Sequence, residues 1–520
     1  MIETSNTHME GNDRVRRSNL SRTPRPNLVI AVLAFSGMGA AFMSTILIPI
    51  QGRLPELLGT SSSETAWLIT ITLLVSAVST PICGRLGDMY GKRRVALVLL
   101  LLMVAGSVLA ALSQTVVPLI IGRGLQGTGL GVIPLGIAML RDNLHKDRLG
   151  SAIALVSATL GVGGALGLPL SAIVTANFDW HVLFWIAAGI GAISFVLVLL
   201  VIPASTLRSL GRIDLVGALG LAVGISSMLI ALSRGNEWGW GAPLTLALLG
   251  GSITVFAFWG WFELRQQNPL VDLRAAGRGP VLMTNLASIA IGFALFASSI
   301  AFPQLLQLPT EVGGLGLDLL PASLILMPMG LTMLAISPVA GRLERRIGPK
   351  PLLVTAGVII AAAYLASMLI DLTAWSILLI NVLIGIGTGM GYAAIPTLIM
   401  QAVPANETAA ANALNTLMRT FGTAVAAALI AAVLTQATTV VNGGLVPSAH
   451  GFQLAFLLGF ISAIVAAVLA IAIPRAKGFF EPGKTVSTRR SPAATVDRSE
   501  ARQPVAGPPD PPSGLTSIHR

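Results

Sequence analysis

Five charged side chains are concentrated in the eleven residues Gly84–Arg94, where they could form ion pairs and cap a helix. The carboxylate of Asp88 would be stabilised by its basic neighbours and by the N-terminus of a nearby helix. Apolar runs lie on both sides, Ala66–Cys83 and Val95–Ser113, and each approaches the roughly 20 residues that a helix needs to span a bilayer. We therefore interpret Gly84–Arg94 as a tight loop between two spanning helices. A basic turn that only fixes topology is the alternative.

Arg123 is a second candidate, because it lies inside the apolar stretch Leu119–Gly127. An arginine within a membrane-spanning helix costs about 2.5–3.5 kcal/mol on insertion scales. Its side chain should therefore face the interior of a helix bundle or a water-filled cavity, with hydrogen-bond acceptors nearby. The alternative is an arginine near the outer leaflet whose side chain extends to the membrane surface.

Residue patterns for other chemistries are missing from the sequence. It contains no G-x-x-x-x-G-K-[S/T] loop, which argues against ATP as an energy source. No group of histidine, cysteine and carboxylate residues has metal-ligand spacing, and no serine–histidine pairing suggests a catalytic triad. We therefore expect neither an enzyme nor a bound metal or cofactor. The one cysteine, Cys83, can form no intramolecular disulfide.

The composition indicates a membrane protein. Hydrophobic residues make up 54% of the chain and charged residues 11%, with a mean hydropathy of +0.81. A soluble domain has about 25% charged residues. The net charge of +11 could suggest a nucleic-acid partner, but the charges lie in short loops and in two tails. That placement is typical of a chain inserted in a lipid bilayer.

Fourteen apolar segments follow one another along the chain, and each is long enough for a spanning helix. They are Asn27–Ile50, Ala66–Cys83, Val95–Ser113, Val117–Leu140, Leu149–Ala176, Val182–Pro203, Leu215–Leu232, Leu244–Phe262, Val281–Phe302, Leu319–Ala340, Leu352–Ile370, Ala374–Ile399, Ala409–Thr435 and Phe452–Ile473. The polar tails outside them, 1–26 and 474–520, are predicted to be disordered.

Lysine and arginine residues predict the orientation. If the N-terminus is internal, the short inside loops hold 16 of them, and the outside loops hold only Arg53 and Arg234. Loops on the cytoplasmic side carry such an excess of positive charge. Both termini should therefore lie on the cytoplasmic side of an inner membrane.

Two parts of the chain repeat each other. Ser337–Leu343 matches Thr80–Leu86, and Arg345 stands in the second copy where Asp88 stands in the first. We therefore expect the acidic element in the first copy only. Repeats of this kind are typical of secondary transporters.

The layout and the charged loop resemble a known transporter family. Two six-span halves, 27–203 and 281–473, would flank an extra pair of spans in 204–280. The pattern G-x-L-x-D-x-x-G-[K/R]-R in Gly84–Arg94 resembles the signature loop of the major facilitator superfamily. Residues 27–473 resemble its fourteen-span drug:proton antiporters of the EmrB/QacA type. The resemblance implies an all-α polytopic fold with two six-helix halves plus two extra helices.

The resemblance also implies roles for particular residues. The residues of the signature loop, which act in conformational change, are Gly84, Leu86, Asp88, Gly91, Lys92 and Arg93. Asp88 would hold the cytoplasmic side closed against the start of span 13, near Asn406–Thr408, and Arg93 or a neighbour would bridge to Asp142. The span-4 motif R-x-x-Q-G is associated with proton coupling and falls on Arg123 and Gln126.

Span 5 carries a degenerate form of the antiport motif. Its hinge-like residues are Gly163, Gly164, Gly167 and Pro169. Small residues let helices approach closely, and a proline weakens the helical hydrogen-bond ladder. Ordinary helix packing is the alternative.

Span 1 departs from the family pattern, because Met43 stands where these antiporters carry an aspartate. All 22 acidic residues can be assigned to tails, loops or helix ends. A proton-coupled carrier needs a titrating group in its pathway. Proton-driven antiport and uncoupled facilitation therefore both remain open.

Several polar and aromatic residues within the spans could line a substrate cavity. They are Asn285, Phe293, Phe296, Gln304, Gln307, Asn381, Tyr392, Asn415 and Arg419. Each polar one could instead hydrogen-bond between helices. Together they would suit a large, mostly apolar ligand.

We therefore predict a transporter that exports hydrophobic or amphipathic compounds, including drugs, driven by the proton gradient. The alternatives are a dedicated exporter of one metabolite or lipid, and a facilitator without proton coupling. A transporter-like sensor or assembly partner is the alternative outside transport. The expected partners are the lipid bilayer, a small substrate and protons, without nucleic acid or ATP.

Overall fold

The computed structural model describes residues 26–50, 53–204, 214–267, 269–441 and 444–474. The predictions for the polar tails 1–26 and 474–520 lie outside the described residues, apart from Pro26 and Pro474.

The described part of the chain contains fourteen helices long and apolar enough to cross a membrane, which confirms the predicted spans. They are α1 Pro26–Thr45, α2 Ser62–Tyr90, α3 Lys92–Ala111, α4 Val116–Asn143, α5 Lys146–Asn177, α6 Val182–Val201, α7 Leu215–Trp238, α8 Pro243–Glu263, α9 Gly279–Gln307, α10 Leu319–Ile347, α11 Pro349–Leu369, α12 Ala374–Ala402, α13 Thr408–Gln436 and α14 Ala449–Ala472. Within α4, a 3-10 turn at Thr128–Gly131 joins two α-helical segments.

The prediction of a tight loop at Gly84–Arg94 is wrong. Helix α2 continues to Tyr90 and α3 begins at Lys92, so Gly91 alone separates them, with φ at +105°. Charged side chains do not prevent this extension, because lysine and arginine are good helix formers. The chain turns at glycine, since only glycine adopts a positive φ without strain. Gly348 between α10 and α11, with φ at +86°, repeats the arrangement.

Three larger apolar cores hold the helices together. One is built almost entirely from α1–α6 and another from α9–α14. The third joins α7 and α8 to the bundle through Ala77 of α2 and Leu417 of α13. A fourth, smaller cluster contains Val281, Ile399 and Val403. Two six-helix halves with two extra helices therefore describe the fold, as predicted.

Small residues allow the halves to approach each other. A Cβ atom at Gly330 of α10 would overlap the Gly161 carbonyl of α5. A Cβ atom at Gly84 of α2 would lie 2.8 Å from the Ala409 carbonyl oxygen of α13. The α5–α10 and α2–α13 contacts therefore form the seam between the two halves.

The strands of the described chain were not predicted. Strands β1 Thr438–Val441 and β2 Gly444–Pro447 form an antiparallel hairpin between α13 and α14, with Thr438 opposite Pro447. A β-branched run followed by Asn-Gly is a strong hairpin signal. Apolar runs alone do not reveal such a hairpin, because its strands are too short to span a membrane.

Candidate functional site

The carboxylate of Asp88 joins the two halves. It is fully buried, and it accepts hydrogen bonds from the backbone N–H groups of Ala409 at 3.3 Å and of Ala410 at 2.8 Å. These N–H groups belong to the first turn of α13, where they have no partner within the helix. The predicted contact of Asp88 with the start of span 13 is therefore confirmed, one and two residues beyond Thr408.

The predicted bridge to Asp142 is formed by Lys92, a neighbour of Arg93, and not by Arg93 itself. The Lys92 Nζ donates to the two carboxylate oxygens at 2.9 and 2.8 Å, and it lies 3.9 Å from Asp88 Oδ1. Arg93 instead donates to the Leu199 carbonyl of α6. Buried Lys92 thus links α3 to α4 through Asp142, and it also lies next to Asp88, which contacts α13. We call this side of the molecule the Asp88 end.

The remaining residues of the signature loop serve packing. Gly84 permits the close contact with α13, and Gly91 supplies the turn between α2 and α3. Leu86 is half-buried. The motif thus combines a capping carboxylate with the backbone geometry that places it.

Arg123 faces the interior of the bundle, which confirms that prediction and excludes the extended arrangement toward the membrane surface. Its side chain is fully buried. The Nη1 atom donates to the Met43 carbonyl at 2.7 Å and to Gln126 Oε1 at 2.8 Å, and Nε donates to the Leu68 carbonyl at 3.2 Å. Gln126 Nε2 in turn donates to Ser107 Oγ at 2.8 Å. The network ties α1, α2, α3 and α4 together.

No carboxylate among the described residues lies within ion-pair distance of Arg123. Met43 stands in the position of the family's aspartate. Its backbone carbonyl accepts a hydrogen bond from the Arg123 guanidinium instead. Nη2 of Arg123 is buried and donates no hydrogen bond to any of the described residues. Carbonyl, amide and hydroxyl dipoles therefore compensate this buried charge.

Helix α5 lies between α1 and α10. A Cβ atom at Gly163 would lie 2.7 Å from Ala41 Cβ of α1, and Gly167 packs against Thr45. Gly164 also lies on the α1 side, 3.6 Å from Thr45. Pro169 is buried inside α5, and the helix continues past it to Asn177. The glycines thus serve close packing in this structure, while the hinge stays a prediction.

Two predicted cavity residues bond to each other. Asn415 of α13 donates to Asn285 Oδ1 at 2.9 Å and to Ser288 Oγ at 2.7 Å, both on α9. Both asparagines are buried. The packing alternative therefore holds for Asn285 and Asn415 in this conformation.

Arg419 of α13 and Tyr392 of α12 form a second pair. The guanidinium carbon lies 4.6 Å from the centre of the tyrosine ring, which is a cation–π distance. Phe293 of α9 is buried and Phe296 is half-buried. Arg419 thus places a positive charge within the membrane-spanning part of the second half, against the ring of Tyr392.

The remaining candidates do not join these pairs. Asn381 donates to the Ile377 carbonyl of its own helix. Gln304 and Gln307 are exposed at the far end of α9, about 28 and 33 Å from Asn285 at 1.5 Å per residue. The nine candidates therefore do not meet at one place in this conformation, and their role in a substrate cavity stays a prediction. Sequence could not separate them, because it does not show which helix face is covered.

Two functional contacts were missed. Arg234 was assigned to an outside loop, but it is buried in α7, donates to the Ser63 carbonyl at 2.8 Å and lies 4.7 Å from the Trp67 ring centre. It also pairs with Glu237, three residues away. That i,i+3 spacing was a readable sign of a longer helix.

The second missed residue is Glu344 of α10, which corrects the expectation of an acidic element in the first half only. Both of its carboxylate oxygens lie 3.3 Å from the position of a Cβ atom at Gly150 of α5. The second half thus also presents a buried carboxylate at the seam. It lies one position before Arg345, so an exact alignment of the repeats hides it.

Two six-helix halves with two extra spanning helices, in which a capping carboxylate joins the halves at one end, are the architecture of a multi-pass membrane transporter. Residues 33–427 match the model of the Major Facilitator Superfamily, and the chain belongs to that superfamily. It is 27% identical to the lincomycin resistance protein LmrB of Listeria monocytogenes, over 87% of this chain and 98% of that protein.

Other relatives agree with this assignment. The multidrug transporter protein MdtP of Bacillus subtilis is 25% identical over 70% of this chain and 66% of its own. The crystal structure of the human organic anion transporter MFSD10 matches with a TM-score of 0.60 and 15% identity. It covers 87% of this chain and 100% of its own, which supports the fold alone.

Proposed function

We propose that this protein exports hydrophobic or amphipathic compounds, including drugs, by alternating access driven by the proton gradient. One observation carries the proposal. Asp88 joins the two halves at one end through two hydrogen bonds to first-turn N–H groups. Such bonds can break and re-form without rearranging either helix, as a carrier that opens alternately to each side requires.

The substrate class is supported by the relatives, whose names refer to lincomycin and to multidrug transport. The membrane interior also offers few charged groups to a substrate. Arg419 is covered by Tyr392, and Asn285 is bonded to Asn415. A mostly apolar compound that needs few polar partners fits this interior best.

The orientation is part of the proposal. The Asp88 end would face the cytoplasm, because 16 lysine and arginine residues lie in or beside the short connections on that side, against only Arg53 in a loop on the other side and Arg234 in the last turns of α7. Reporter fusions should read outside at Asp179 and Glu311 and inside at His145 and Arg345. We also propose 27–203 and 281–473 as the halves and 204–280 as the insert, with 1–26 and 474–520 as cytoplasmic tails.

For coupling, we propose that Arg123 and Gln126 position the first four helices during the proton-driven cycle. A second candidate function is uncoupled facilitation. It is favoured by one observation, the Met43 carbonyl that takes the place of a carboxylate beside Arg123.

Transport in proteoliposomes separates the two. The purified full chain is reconstituted, and uptake of a fluorescent amphipathic cation is measured with and without an imposed pH gradient. Antiport predicts accumulation above equilibrium that collapses when a protonophore removes the gradient. If the dye only equilibrates across the membrane, at a rate that does not depend on the pH gradient, the protein is a facilitator and the antiport proposal is wrong. Vesicles without protein give the passive rate.

A further inference from the structure

Charges of the two signs lie at different depths in the described spanning helices. Every carboxylate in these helices lies within about 5 Å of a helix end, at 1.5 Å per residue. The two deepest arginines are Arg123, about 10 Å from the nearer end of α4, and Arg419, about 16 Å from the nearer end of α13. At this depth the described helices therefore carry two positive charges and no negative one.

The two arginines differ in how their charge is compensated. Arg123 is fully buried and donates to three acceptors. Arg419 is half-buried, and it forms no hydrogen bond or ion pair with any of the described residues. The ring of Tyr392 covers one face of the Arg419 guanidinium, so the N–H groups at the edge of the plane stay available to a ligand.

The side chain of Arg419 lies inside the second half. A Cβ atom at Gly292 of α9 would lie 3.0 Å from Arg419 Cγ, and the guanidinium lies over buried Tyr392 of α12. Phe296 is half-buried and lies one turn beyond Gly292 on the same face of α9. A free guanidinium edge and an apolar ring are therefore available on neighbouring helices.

A positive charge at this depth favours a negatively charged ligand. An arginine within a spanning helix is costly unless an opposite charge or polar groups compensate it, and an aromatic ring does so only in part. The planar fork of N–H donors matches a carboxylate, which can accept two parallel hydrogen bonds. A positively charged ligand would instead be repelled by Arg419 and Arg123, with no carboxylate nearby to pair with it.

We propose that Arg419 binds the carboxylate of an amphipathic organic anion, whose apolar body packs against Phe296. Resting on the proposed export function, this names the preferred substrates as hydrophobic carboxylates. The anion site itself does not depend on that function. A cationic dye should still be moved, but more slowly than an anion of the same shape.

Binding of matched probes to the purified full chain in detergent tests the site. The probes are three dansyl sulfonamides with the same hexyl chain, which ends in a carboxylate, a methyl group or an ammonium. Dansyl fluorescence reports binding at pH 7.5, where the carboxylate is ionised. The carboxylate probe should bind at least about tenfold more tightly than the ammonium probe, with the methyl probe between them. Equal affinities for the carboxylate and ammonium probes would overturn the proposal.

Variants assign the preference to one side chain. Arg419→Gln should weaken binding of the carboxylate probe about tenfold and leave the methyl probe unchanged. Arg419→Lys keeps the charge without the planar fork, so the carboxylate probe should still bind more tightly than the ammonium probe. Exposed Arg94→Gln is the matched control and should bind all three probes as wild type does. Unchanged binding of the carboxylate probe to folded Arg419→Gln would exclude this arginine as the site.

Transport of the same probes in proteoliposomes separates this inference from the proposed function. Wild type should move the carboxylate probe fastest, after subtraction of the rate in vesicles without protein. If all three probes move equally fast, export stands and the preference for anions is wrong. If no probe moves although the carboxylate probe binds through Arg419, the export proposal fails and the anion site stands.

Discussion

The guanidinium of Arg123 donates to the backbone carbonyl of Met43 at 2.7 Å. The carbonyl belongs to the residue that stands in place of the family's span-1 aspartate. A carbonyl accepts the hydrogen bond but cannot take up a proton in exchange. In this chain, the arginine is therefore held by neutral carbonyl and amide oxygens, and we propose that its network positions helices.

Replacing Arg123 should uncouple transport. Arg123→Ala removes hydrogen bonds to α1 and α2 together, so we expect uphill export to be lost while some downhill flux survives. Arg123→Lys should rescue poorly, because an ammonium cannot reproduce the planar fork whose Nε reaches Leu68 while its Nη1 reaches Met43. Dye accumulation in vesicles with an imposed pH gradient measures this. Exposed Arg94→Ala should behave as wild type, and a fully active Arg123→Lys would contradict the argument.

Restoring the missing acid should strengthen the dependence on the proton gradient. The Met43 side chain is buried and lies 3.9 Å from Ser107 Oγ, inside the same network. Met43→Asp would place a titrating carboxylate beside Arg123, and the ratio of uptake with and without a pH gradient should rise. Met43→Asn has nearly the same size without the charge and serves as control. A ratio that rises equally in both variants would exclude the carboxylate as the cause.

The sequence predicts the helices well because each span is fixed by its own apolar residues. The contact of Asp88 with the start of α13 was predicted only through the resemblance of the charged motif to the signature loop of the superfamily. The sequence could not predict which polar residues would meet across helices. The hydrogen bond between Asn415 and Asn285 depends on how each helix is rotated about its axis, and so does the stacking of Arg234 on Trp67. A helix that is apolar on all sides carries no periodic signal for that rotation.

Asp88→Asn should slow transport without preventing insertion. The amide keeps one acceptor oxygen, but its NH₂ group would face a first-turn N–H of α13, so about 1–3 kcal/mol of stabilisation of the closed Asp88 end should be lost. Transport per inserted molecule gives the measurement. Asp179→Asn, at an exposed carboxylate, is the control. Unchanged transport would leave Asp88 as a charge that only fixes topology.

Arg234→Ala should loosen the insert from the first half. The buried guanidinium bonds to Ser63 and covers Trp67, while its partner Glu237 stays partly exposed. We expect a loss of about 1–2 kcal/mol in the free energy of unfolding, since the remaining carboxylate can be solvated. Thermal unfolding of the purified protein measures it. Arg53→Ala, at an exposed arginine, should leave the melting temperature unchanged.

Gly330→Ala should damage the seam at the centre of the membrane. An added Cβ would overlap the Gly161 carbonyl and crowd Ala165, so α5 and α10 must separate. Overpacking of this kind costs about 1–3 kcal/mol, which outweighs the gain of up to about 1 kcal/mol from replacing glycine within a helix. We expect a lower melting temperature and slower export per inserted molecule.

The matched control is Gly250→Ala in α8, where an added Cβ would meet nothing within 4 Å. Helix propensity alone then acts, and this variant should be as stable as wild type or slightly more stable. The two substitutions are chemically identical, so opposite signs isolate the contact between α5 and α10. Equal melting temperatures in both variants would show that the halves tolerate wider spacing at Gly330.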